Sequence, residues 1–214
     1  SPEGPPTKAG TFLADDLGGL HGAIGAMAAL RHRDQTGEGQ HVDIALQDAM
    51  LFQSDGLPTL GALGIEPTRM GNEFGFAAPA NVYDCLDGAV YLGVLLDDHW
   101  KILAPIIGEP ELAEHPTFAT RDERAVNRDV CNMMVSEWAK QLPREQVLKK
   151  LQTAGLPAAP VNTFPEAAKD PHVQERDMLQ PIEFSNGVTM PITGPAAKFS
   201  RTPTKVRSAA PDIG

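Results

Sequence analysis

Residues 12–49 read FLADDLGGLHGAIGAMAALRHRDQTGEGQHVDIALQDA, and the fold is decided by how this stretch is read. Leu17 to Arg33 contains no proline, and Gly18, Gly22, Gly25, Ala26 and Ala29 recur at steps of three and four. That spacing predicts a helix with one face nearly free of side chains. Each glycine inside a helix costs about 1 kcal/mol relative to alanine, so Gly18, Gly19, Gly22 and Gly25 need an offset. Close packing of another backbone would supply one, and access of a ligand or reacting group to the helix start would supply another. Asp15 and Asp16 fall where an N-cap is expected, beside free N–H groups and the positive end of the helix dipole, a setting that favours an ionised carboxylate. Residue type leaves two readings open: one aspartate caps while the other is solvated, or one of them performs chemistry.

Working outward, Thr36-Gly37-Glu38-Gly39-Gln40 ends the helix after its last basic turn. His41 to Leu46 sets Val42, Ile44 and Leu46 against His41, Asp43 and Ala45, which predicts a half-buried strand. Asp48 to about Leu63 reads as a second helix broken by Pro58. Residues 65–80, rich in Gly, Pro and Ala, read as a linker into a smaller domain. Val82 to Leu86 and Ala89 to Leu95 read as strands around an Asp87-Gly88 turn. Helices are expected over Trp100 to Ile107, Arg121 to Gln141, Arg144 to Ala154 and, briefly, Pro165 to Ala168. Met190 to Ala197 reads as an edge strand or loop returning to the large domain, and the last fifteen residues as a surface arm. The expected division is therefore 1–68, 69–185 and 186–214.

The chain has 214 residues, 42% of them hydrophobic, enough for a substantial core. Its 20 glycines and 19 prolines predict a loop-rich fold. A net charge of −10 argues against nucleic acid as a partner, since phosphate binding along a nucleic acid requires clustered Lys and Arg. Cys85 and Cys131 have neither metal-type nor redox-type spacing, and no metal site is expected. No apolar run approaches a membrane span, so the expectation is a soluble, cytoplasmic protein without membrane partners. The opening SPEGPPTKAG is a loop without an initiating Met, which suggests a piece of a longer protein.

The whole chain resembles the class III CoA-transferases, the family that includes formyl-CoA transferase, the carnitine-related CoA-transferase and α-methylacyl-CoA racemase. The resemblance rests on Gly19, Leu20, His21, Ile24 and Gly25 after the aspartates and on Gly37, Gly39-Gln40, Val42-Asp43, Leu46 and Asp48-Ala49, with Gln35 where the family has a basic residue. It also rests on Arg69, Gly71-Asn72 and the run Ala154 to Asn162. It implies an α/β fold: part of a doubly wound large domain plus a smaller α+β domain, of the interlocked-dimer type. Much of the family's CoA-binding half would lie before Ser1.

The resemblance implies that Asp15 is a nucleophile, with Asp16 the runner-up. Its carboxylate would attack an acyl-CoA thioester to give a mixed anhydride, and CoA thiolate would convert that into an aspartyl-CoA thioester, moving CoA between acids by covalent catalysis. CoA enters as substrate and no cofactor is implied; the partners are an acyl-CoA, a carboxylic acid and a second copy of the chain. The N–H groups of Gly18 and Gly19 are candidates to hold an oxyanion. His21 reads better as a packed imidazole than as a base, though substrate contact stays open, as it does for Arg69 (carboxylate clamp or structural ion pair) and Asn72. Residues 73–80 lack the glycine run of formyl-CoA transferase, which disfavours formate or oxalate. Two alternatives remain: a racemase, for which the acid position falls on Leu96 beside Asp97 and a His is required upstream of Ser1, and a non-catalytic fragment or subunit.

Overall fold

The computed structural model describes residues 4–211. Contacts divide them into two compact units, one ending at Asn72 and the other beginning at Glu73.

The first unit is built on helix α1, Leu13–Thr36, which starts earlier than its glycine period suggests. Its N-cap is Phe12, without a side-chain cap bond, and the N–H of Asp16 already donates to Phe12 O at 3.0 Å. Asp15 and Asp16 therefore lie in the first turn and do not cap it, which corrects the sequence expectation. At the other end Gly37 takes φ 78° and donates to Arg33 O at 2.7 Å, the left-handed stop that its sequence position calls for. Helix α2, Leu46–Phe52, and helix α3, Leu57–Ala62, replace the single helix expected over this region. Asp55 and Gly56 have φ of 48° and 79°, through which no α-helix continues, and Pro58 opens α3 where a break was expected.

Residues 41–45 form no strand. Their alternation is nonetheless used: a Cβ on Gly25 would sit 2.8 Å from Val42 Cγ1 and 3.9 Å from Ile44 Cδ1, and a Cβ on Gly18 would collide with Leu46. The segment lays one row of side chains on α1, and among the described residues no neighbouring strand completes a hydrogen-bond ladder with it. By contrast, nothing lies within 4 Å of a Cβ built on Gly19 or Gly22. Gly22→Ala is accordingly expected to stabilise the protein by about 0.5–1 kcal/mol. Gly25→Ala must push Val42 aside and is expected to be less stable than Gly22→Ala by about 1 kcal/mol or more. Thermal unfolding of the two variants checks this, and equal melting points would mean that 41–46 does not pack on α1.

The second unit holds strands β1 (Ala80–Cys85), β2 (Gly88–Gly93) and β3 (Ala158–Val161) in an antiparallel sheet of that order. Cys85 pairs with Gly88, so the hairpin turn is Leu86-Asp87, one residue earlier than expected. That turn is anchored from outside: Leu86 N–H donates to Leu142 O at 3.1 Å, and Asp87 Oδ1 accepts from Arg144 N–H at 2.6 Å. Helices α4 (Asp97–Ile106), α5 (Arg121–Val126), α6 (Arg128–Ala139) and α7 (Arg144–Thr153) follow, with a short 3₁₀ turn at Pro110–Ala113. The helix expected over Arg121 to Gln141 is split at Asn127, whose side-chain amide donates to Thr117 O and Glu123 O. Val90, Leu92, Trp100, Leu103, Val135, Val147 and Leu151 make the core of this unit.

Helices α8 (Phe164–Ala168) and α9 (Pro171–Glu175) lead into the hairpin of β4 (Leu179–Glu183) and β5 (Thr189–Thr193). Its Pro181 and Pro191 are tolerated because both strands are edges. The expected limit at 185/186 falls inside the turn of this hairpin. Of the described helices, none is long and apolar enough to cross a membrane.

Arg144 ties the sheet to α8 through Glu166 at 2.7 Å. Hydrogen bonds from Arg144, then from the Thr163 N–H and hydroxyl, hold the Glu166 carboxyl down at about 2 against an ordinary 4.5. A carboxyl depressed on folding contributes stability that is complete above its unfolded value and is lost as pH falls from about 4.5 toward 2. Glu166→Gln is expected to flatten that part of the melting-temperature curve against pH. An unchanged acid limb would show that the pair contributes nothing.

Candidate active site

Asp15 and Asp16 are both exposed in the first turn of α1. Their surroundings differ by helical geometry. Residues four and seven along lie on the same face as a given position, which for Asp15 are Gly19 and Gly22 and for Asp16 are Leu20 and Ala23. Asp15 thus heads a strip on which the next two turns present only backbone, the same two glycines that have open space around them. The other pair, Gly18 and Gly25, serves close packing under residues 42–46. Close packing therefore accounts for Gly18 and Gly25, while Gly19 and Gly22 have open space around them among the described residues.

Gly18 is buried and, like Gly19, lies well inside α1. From the fourth residue of an α-helix onward each N–H points at the carbonyl four residues back. With the helix starting at Leu13, the uncommitted N–H groups belong to Leu13, Ala14 and Asp15, and the oxyanion assignment to Gly18 and Gly19 is set aside on that ground.

His21 lies six residues beyond Asp15, about 240° round the helix, and so faces elsewhere. Its ring packs edge-on against Phe52, centroids 5.3 Å apart at 85°. Together with Asp43, Ile44, Ala45, Asp48 and Ala49 these rings line an open cavity of about 450 Å³. The sequence reading used Asp43 and Asp48 as pattern residues and gave neither a place in a site. The signal was there, since Asp43 alternates with Val42 and Ile44, and the latter two are committed to α1.

Arg69 is exposed, and its guanidinium donates to Gly4 O at 2.6 Å, a backbone partner where a carboxylate was expected. Asn72 is exposed at the end of the first unit. Asp97, next to the racemase position at Leu96, receives a hydrogen bond of 3.0 Å from the buried Arg124. Burial pushes the Cys131 thiol up to about 12 and also raises that of Cys85, with Asp87 and Asp84 adding to the latter, so neither is a ready thiolate. Among the described residues no three His, Cys, Asp or Glu side chains are grouped to hold a metal ion.

In fold, the chain is similar to a CAIB/BAIF family protein from Brucella suis, with a TM-score of 0.77 and 33% identity over 99% of this chain and 55% of that one. It is also similar to Rv3272 from M. tuberculosis, with a TM-score of 0.83 over 97% and 55%, at 21% identity, a likeness of fold alone. These neighbours define a mixed α/β class. The sequence carries the placement further: the profile of CoA-transferase family III matches residues 1–214, and the chain belongs to that family.

One relative is the succinyl-CoA–L-malate CoA-transferase beta subunit of Chloroflexus aurantiacus, 35% identical over 100% of this chain and 54% of that protein. The succinyl-CoA:mesaconate CoA-transferase of Haloarcula marismortui is 32% identical over 98% and 52%. The acetyl-CoA:oxalate CoA-transferase of Acetobacter aceti is 35% identical over 89% and 49%. The chain spans about half the length of the curated relatives it matches.

Proposed function

We infer that this chain carries the nucleophile of an acyl-CoA transferase that moves CoA between carboxylic acids, with Asp15 as the attacking group. The supporting observation is the position of Asp15 in a family III chain: exposed, in the first turn of α1, above a strip of backbone opened by Gly19 and Gly22. A carboxylate nucleophile must remain ionised while an acyl-CoA approaches it closely. The helix dipole favours the anion, and the missing side chains leave room for the thioester.

In the first step an Asp15 oxygen bonds to the acyl carbon, the carbon–sulfur bond breaks and CoA leaves as thiolate. The thiolate then attacks the aspartyl carbonyl of the mixed anhydride, releasing the donor acid and leaving an aspartyl-CoA thioester. An incoming carboxylate reverses both steps. Relatives named for succinyl-CoA, malate and mesaconate point to short dicarboxylic acids as the substrate class. The doubly wound large domain, the return of residues 186–214 to it, an interlocked homodimer and a cytoplasmic setting belong to the same proposal for the whole polypeptide.

The test loads the full-length protein with succinyl-CoA in the presence of hydroxylamine. A hydroxamate is expected on Asp15 in the peptide covering residues 11–31, with free CoA released. A clean peptide despite measurable transfer would overturn the covalent assignment.

A further inference from the structure

We draw no further inference here: the strongest candidate, the open groove between α4 and α7 that is floored by Pro105, Ile106 and Ala154 and rimmed by Lys149 and Lys150, is an unpartnered apolar face of the second unit, and nothing in the structure shows what covers it.

Discussion

Asp15→Ala is expected to reduce CoA transfer by the full-length protein by about 10³-fold or more, the scale on which loss of a covalent nucleophile shows. Stability should barely move. Asp15 is exposed and its carboxylate accepts no hydrogen bond among the described residues, so its folding contribution is the attraction of one carboxylate to the helix start, about 0.3–1 kcal/mol. A dead but folded variant therefore reports on chemistry. Asp16→Ala supplies the control, because it removes the same charge from the same turn but has Leu20 and Ala23 four and seven residues along where Asp15 has Gly19 and Gly22. It is expected to keep transfer within about tenfold of the parent, since a carboxylate in the same turn tunes the local field and makes no bond to the acyl group. Steady-state transfer from succinyl-CoA, with a melting curve for each variant, checks both. Loss of activity in Asp16→Ala alone would move the nucleophile by one residue, and full activity in both would remove the aspartates from the mechanism.

The contrast between Asp15 and Asp16 could not be drawn from the sequence. The spacing of Gly18, Gly22 and Gly25 predicts a helix because small residues at steps of three and four have no competing strand pattern. Which glycines are open depends on where residues 41–46 lie, and that is settled by the partner of Val42 and Leu46, a non-local fact. The same segment shows why its alternation was misread: period two marks one face for burial but does not supply a neighbouring strand. Pro58 suggested a helix break, yet the break falls at Asp55 and Gly56, where the backbone turns left-handed. Asp15 itself was singled out by resemblance to a family, since charge and position alone equally allow a solvated carboxylate. In the second unit the turn of the β1–β2 hairpin was legible to within one residue and its strands to within two. Strands β3 and β4 were not read as strands, because the prolines in them signal loops, and β5 was read only as an edge strand or loop over Met190 to Ala197.

Arg124 was hidden for a related reason: it sits in Arg121-Asp122-Glu123-Arg124, a run that reads as a solvated helix face, yet its side chain is fully buried. Its Nε donates to Ala78 O and one terminal nitrogen to Phe118 O, both at 2.9 Å, and the other to Asp97 Oδ1 at 3.0 Å. The guanidinium lies 5.8 Å from the centre of the Trp100 ring. One side chain thus joins the segment before β1, the start of α4 and the turn at Phe118. Arg124→Ala leaves two carbonyls without their donor and opens a cavity, and is expected to destabilise the protein by about 3–5 kcal/mol. Arg124→Met fills most of the volume and restores neither hydrogen bond, so a loss of about 2–4 kcal/mol is expected. Asp97→Asn keeps an acceptor, and the Asp97 side chain is 48% exposed, so water cushions the missing charge and the loss should be about 1 kcal/mol. Denaturant unfolding of the three variants tests the order. If Arg124→Met matched the parent, the buried charge would be dispensable, as some buried ion pairs are when apolar groups replace them, and packing around Trp100 alone would hold these segments together.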